Sequence, residues 1–203
     1  MGTRNLTCVV HDGEYKIAQY GQWDGYLEGA GMTIFEFLQE TDIEEFTEKI
    51  KQVAAYTDEE LKEISSQFGD GSGWLTIDEA EKYNEAYPNL TRNTGCKILH
   101  LVRDSEDPVN VSLHLNFAKD SLFCEWAYVI DLDKGMFEIY QGFNQSPLEE
   151  GERFYSEDPP ENAVGDEAYY PVKHLISFDL KKLPPTSETF LQLAKEAVGE
   201  PEE

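Results

Sequence analysis

Trp23, Asp24 and Tyr26 stand within "AQYGQWDGYLEGAG", residues 18 to 31, preceded by Gln22 and interleaved with Gly25, Gly29 and Gly31. Two rings beside a carboxylate and an amide are the makings of a small-ligand pocket. The rings supply walls, Gln22 and Asp24 supply hydrogen bonds, and the glycines let a ligand approach the backbone. The same residues also read as a structural corner, in which Asp24 caps the following helix and the rings pack inward. Arg4 and Asn5 come beside Asp24 if the first two strands close as a hairpin. Arg4 then serves either as a ligand cation or as the salt-bridge partner of Asp24.

Other chemistries find little support. The chain holds no GxSxG elbow, phosphate loop, GxGxxG or HExxH. His11, His100, His114 and His174 lack metal-ligand spacing and read as structural. Cys8, Cys96 and Cys124 are odd in number and scattered, which suits buried small hydrophobes better than disulfides or zinc. "GDGSGW" suggests a calcium loop from Asp70 to Glu81, but Leu75 stands where the sharp turn needs glycine and Trp74 where a ligand is needed. No metal and no cofactor are expected.

The elements that position these residues follow from periodicity. "RNLTCVVHDGEYKIAQYG" is a hairpin around an Asp-Gly turn. Ile34, Phe37 and Leu38 share a helical face behind a possible cap at Thr33. Ile43, Phe46, Ile50 and Val53 do so behind Asp42, and Leu61, Ile64 and Phe68 behind the capping box Thr57–Glu60. A further box at Thr76 opens a helix that ends before Pro88. "TGCKILHLV" fits helix or strand. "VNVSLHLNF" alternates as a half-buried strand. "SLFCEWAYVIDLDKGMFEIYQGFN" gives two strands around Asp133-Lys134-Gly135, "YYPVKHLISFDL" a last strand and "SETFLQLAKEAV" a closing helix. Residues 145 to 168 read as an acidic loop. The order predicts an α+β fold, helices layered on a mostly antiparallel sheet. It forms a single domain over 1–198, with a helical lobe inserted at about 32–90 and an acidic tail at 199–203.

Sixteen Lys and Arg against 41 Asp and Glu leave a net charge of −25 and a pI near 4.3. Such a field repels nucleic acid and anionic membranes and attracts basic protein surfaces. Glu44, Glu45, Glu48, Asp58, Glu59 and Glu63 fall opposite the apolar stripes of their helices. They form either a solubilising surface or an acidic face for a basic partner. No apolar run is long enough to span a membrane, and the start lacks a signal peptide's basic and apolar regions. Leu6 replaces the Ser or Thr of a myristoylation signal. A cytoplasmic location is expected.

"GTRNLTCVVHDGEYKIAQYGQWDGY" and "CEWAYVIDLDKGMFEIYQGFN" resemble two blocks of an uncharacterised protein family of phages, prophages and bacterial genomes. The family usually has proline where this chain has Leu27. More distantly, the first hairpin is similar to that of N-terminal-nucleophile hydrolase sandwiches. That likeness implies Thr3 as a terminal nucleophile with its own amine as base, and Asp24 holding that amine. Removal of Met1 alone exposes Gly2, which has no nucleophile.

The leading expectation is a phage- or prophage-encoded counter-defence protein. It inhibits a bacterial immune effector, such as a CRISPR nuclease complex, through an acidic surface that mimics nucleic acid. One alternative is a protein that binds or sequesters a small nucleotide signal at Arg4, Asn5, Gln22, Trp23, Asp24 and Tyr26. That reading needs cations, and only Arg4 and Lys16 lie near in sequence. The other alternative is an amidohydrolase acting through Thr3 and Asp24.

Overall fold

Strand β1 (Asn5–His11) and strand β2 (Glu14–Gly21) form the first hairpin of the computed structural model, which describes residues 2–69, 75–156, 162–164 and 167–199. Asp12 and Gly13 both take positive φ, 54° and 74°. That backbone matches the twist of a two-residue hairpin, which is why Asp-Gly stands there. The other edge of β1 pairs in parallel with β5 (Trp126–Asp131), from Asn5↔Trp126 to Val10↔Asp131. β5 turns back into β6 (Met136–Gln141), and β9 (Lys173–Asp179) closes the sheet in the order β2-β1-β5-β6-β9.

A parallel pair needs a long crossover, and the helical lobe lies within it. A π-helical turn over Leu27–Gly31 runs directly into α1 (Met32–Glu40). The expected cap at Thr33 is therefore absent. Thr33 sits inside the helical run, and its hydroxyl donates to the Gly29 carbonyl at 2.9 Å. The other caps form as the sequence predicts. Asp42 caps α2 (Ile43–Ile50), and boxes at Thr57 and Thr76 open α3 (Asp58–Ser66) and α4 (Ile77–Ala86). "TGCKILHLV" is helical, a 3₁₀ turn at Gly95–Lys97 continuing into α5 (Ile98–Asp104). Helix α6 (Ser187–Val198) ends at Gly199, whose φ is 83°.

"VNVSLHLNF" departs from its pattern. Its strand is only β4 (Asn110–Val111), because the partner β3 (Ala54–Ala55) offers two residues. Beyond Val111 the chain leaves that ladder, His114 N–H reaches the Ala18 carbonyl at 2.8 Å, and a 3₁₀ turn follows at Leu115–Lys119. The 145–168 segment also carries β7 (Asn162–Val164), which pairs with β8 (Glu167–Tyr169). Residues 70–74, the first part of the rejected calcium loop, and the end of the tail lie outside the described residues.

The class is α+β, with one five-stranded mixed sheet. Among the described residues the strands make one large sheet rather than two stacked ones. Alternation along the strands divides the core between its faces. Val9, Ile17, Tyr128, Ile130, Phe137 and Ile139 meet Phe35, Phe37, Phe46, Leu99 and Phe190 from the helices. Leu6, Cys8, Ala127, Val129 and Tyr140 pack instead under Leu148, Phe154 and Val172 from irregular segments. Among the described residues, no helix is long and apolar enough to cross a membrane.

A candidate ligand cleft at the end of the first hairpin

Where β2 ends, the chain makes the corner that the sequence singled out. Asp24 takes φ +52°, a left-handed conformation that Asp tolerates better than most residues. Three bonds hold it there. Gly25 N–H donates to the Thr3 carbonyl (2.9 Å), Ala30 N–H to the Asp24 carbonyl (2.7 Å), and the buried Tyr128 hydroxyl to the Gly25 carbonyl (2.8 Å). The glycines serve this packing rather than a ligand. A Cβ on Gly29 would lie 2.1 Å from the Asp24 carbonyl oxygen, and one on Gly25 2.8 Å from both the Thr3 oxygen and the Asn5 Cβ.

Opposite the corner lies the segment that leads into α5. Gln22 N–H donates to the Arg92 carbonyl (3.0 Å), and Trp23 Nε1–H to Asn93 Oδ1 (3.0 Å). Gly21 and Gly95 touch backbone to backbone, close enough that a Cβ on Gly21 would lie 3.0 Å from the Gly95 Cα. Between the two walls is a cleft of about 510 Å³. Asn5, Gln22, Trp23, Asp24 and Tyr26 line one side, as the sequence predicts, and Arg92, Asn93 and Lys97 the other. Trp23 and Tyr26 are 52% and 41% exposed, so they stand at the mouth and are not core.

The charges are arranged in opposition. Among the described residues, Arg92, Lys97 and the Asp24 carboxylate have no ion-pair partner, whereas Glu28 pairs with Lys195 at 2.7 Å. Asn5 is 1% exposed; its Nδ2 donates to the Trp23 carbonyl (3.3 Å), but its Oδ1 has no partner among the described residues. The side chain of Gln22 is held by the Tyr20 hydroxyl, which donates to its Oε1 at 2.6 Å. Burial pushes the Cys96 thiol up to about 11, with the Asp24 charge adding to the effect. The thiol therefore stays protonated at neutral pH and is a poor nucleophile. The Thr33 and Thr94 hydroxyls both donate to backbone carbonyls, of Gly29 and Pro88. The cleft thus offers recognition groups: two cations, the Asp24 carboxylate and two rings, while the Glu28 carboxylate is engaged by Lys195.

Several expected residues fall elsewhere. Arg4 is not in the cleft. Alternation turns it away from Asn5, and the register Asn5↔Trp126 brings Glu125 beside it. Its N–H donates to Glu125 Oε1 at 3.1 Å, and its guanidinium lies 3.5 Å from the same oxygen and 4.7 Å over the Phe123 ring. Lys16 pairs with Glu14 at 2.8 Å, at the far end of the hairpin. Thr3 touches the corner through its carbonyl and does not line the cleft. The cations that sequence proximity could not supply come from about seventy residues away, with Arg92 and Lys97 delivered by tertiary packing alone.

Two further features lie outside the cleft. Glu44, Glu45, Glu48, Asp58, Glu59 and Glu63 are all exposed; Glu48 pairs with Lys51 at 2.5 Å, and the other five have no ion pair among the described residues. At the opposite end of the sheet, His11, Asp12 and Asp133 cluster within 4.8 Å, although 121 residues separate Asp12 from Asp133. The Asp133 carboxylate accepts the Asp12 and Gly13 N–H groups at 2.9 and 2.8 Å, so the cluster clasps the two hairpin tips.

No protein-family model, curated protein or solved structure matches this chain.

Proposed function

We propose that this chain is a phage- or prophage-encoded counter-defence protein of the host cytoplasm that acts by binding, and that it sequesters a small anionic ligand of the nucleotide-signal kind in the cleft. The observation that carries this reading is the convergence of Arg92 and Lys97, both without acidic partners among the described residues, on a cleft in a chain of net charge −25. The exposed Asp24 carboxylate, without an ion pair among the described residues, supports it further, since it can accept hydrogen bonds from a base edge. Trp23, fixed through its indole N–H to Asn93, gives a face on which a base can stack. Isothermal titration against a panel of linear and cyclic nucleotides tests it. Binding by some member, weakened about 10- to 100-fold by Lys97→Ala or Arg92→Ala, is the expected result, since a charge-assisted hydrogen bond contributes about 1.5–3 kcal/mol. No heat from any member would remove this reading.

A second reading has its own support. The exposed, mostly unpaired carboxylates on α2 and α3 suit a basic nucleic-acid groove on an immune effector such as a CRISPR nuclease complex. Expression in a defended host should then restore phage plaquing. That effect would survive the Lys97 and Arg92 variants and fail when the acidic face is reversed.

A further inference from the structure

The cleft does not end at Lys97. Beyond it the space opens into a second chamber of about 930 Å³, and Thr33, Asn93, Thr94 and Lys97 belong to the walls of both. Resting on the reading of the polar cleft as a ligand site, we propose that the ligand is a dinucleotide, one base-bearing half in each chamber and the linking phosphate at Lys97. Three observations point this way.

The first is size. Each chamber falls within the range of a complete small-molecule site, roughly 300–1,000 Å³. A mononucleotide would occupy one and leave the other wet.

The second is the chemistry of the outer chamber. Leu101, Val109, Pro88 and Pro108 give it apolar walls, and two rings, Tyr56 and His100, give it flat ones. Both rings are held in place. Asn89 Nδ2 donates to the Tyr56 hydroxyl at 3.3 Å and to the Asn110 carbonyl at 2.7 Å. His100 stands edge-on to Phe37, with ring centroids 5.0 Å apart. Burial lowers the proton affinity of His100, with Arg103 adding to the effect, so the neutral ring offers a base edge one donor and one acceptor.

The third is where charge sits. Lys97 is at the junction, and Arg92 lies in the inner cleft beside it in the same wall. The one acidic group lining the outer chamber among the described residues, Asp104, is held by Arg103 through bonds of 2.6 and 3.1 Å. An anionic linker between two bases meets attraction at the waist and no free carboxylate beyond it.

Titration calorimetry on the full chain decides the matter, with GMP and AMP set against the linear dinucleotides GpG and ApA and their cyclic forms. One dinucleotide is expected to bind at least about tenfold more tightly than its mononucleotide, because joining two moieties makes the second contact intramolecular. Val109→Trp, which fills the outer chamber, should abolish that advantage and leave the mononucleotide unchanged. Pro108→Trp repeats the test from the rim should the first variant fail to fold by circular dichroism. Equal affinity for mono- and dinucleotide, indifferent to both variants, overturns the dinucleotide and leaves the cleft reading standing. Absence of binding by every probe overturns both.

Discussion

Asp24 is the residue on which backbone and site meet. Its φ of +52° costs most side chains about 1–2 kcal/mol, while glycine adopts it freely. Asp24→Ala is therefore expected to lower stability by about 1 kcal/mol in urea denaturation, and Asp24→Gly to change it less. Both remove the carboxylate, so a loss of ligand affinity common to the two belongs to the charge and not to the strain. Arg153 makes a second residue-scale case. It donates to Glu138 at 2.5 and 2.9 Å and to Asp131, all three side chains being at most 10% exposed. Burial is the largest effect and pushes both carboxyls up, but the hydrogen bonds and charge of Arg153, together with the Lys134 N–H on Asp131 and the Tyr140 hydroxyl on Glu138, hold them below the ordinary range. A depressed folded value gives stability that is present above the unfolded values, about 3.9 and 4.3, and is lost as pH falls through the folded ones. Arg153→Met leaves buried Glu138 without an ion pair among the described residues and Asp131 with only the exposed Lys134, 3.6 Å away, at a cost of about 3–5 kcal/mol near neutrality. The gap between wild type and variant should narrow as pH falls toward 4, where burial favours protonated carboxyls in the variant. A gap constant from pH 7 to pH 4 would contradict this account. None of this cluster was legible in the sequence, because Arg153 is 22 residues from Asp131 in a loop without period. Four cleft residues, Gln22, Trp23, Asp24 and Tyr26, were legible because they sit in one turn, and Asn5 because the hairpin register sets it opposite Gly21. Arg92 and Lys97 were not, since nothing local ties them to Trp23.

At the scale of elements, caps formed at three of the four positions read, and alternation failed in one segment. Asp42, Thr57 and Thr76 cap helices as read, because a cap depends on three or four adjacent residues. "VNVSLHLNF" failed because alternation describes a strand's faces and not whether a partner exists, and here the partner is two residues long. Thr33 failed because Leu27–Gly31 already winds helically ahead of it. The acidic face on α2 can be tested at this scale. Glu44 and Glu45 lie in the first turn, where negative charge complements the helix dipole, and Glu48 pairs with Lys51. Reversing all three to Lys is expected to cost about 1–2 kcal/mol, from roughly 0.3–1 for each dipole position plus a lost surface pair. Phe46 and Ile50 still anchor the helix in the core, so the far-ultraviolet spectrum should be retained. Loss of helical signal would mean that these acids hold the lobe together and do not simply face outward.

Over the whole molecule the charge of −25 sets a field that both functional readings must meet, and it separates them. A basic partner is drawn toward such a surface from a distance. Salt screens that attraction, with a Debye length of about 10 Å at 0.1 M, so association slows as ionic strength rises. An anionic dinucleotide approaches against the same field. Its favourable contacts with Arg92 and Lys97 are short-ranged and form only at the cleft that these residues line. Screening removes the long-range repulsion before it removes those short contacts, so the association rate constant should rise with added salt while dissociation also quickens. Stopped-flow measurement of association with a fluorescent dinucleotide, between about 20 and 300 mM sodium chloride, reads the sign directly. A rising rate constant is expected. The triple reversal on α2, which changes the net charge by six units in the positive direction, should raise the rate at low salt and flatten its salt dependence without touching the cleft. A rate that falls with salt in the unmodified chain would mean that the local field of Arg92 and Lys97, and not the net charge, steers the dinucleotide, and would overturn the account of an approach against repulsion.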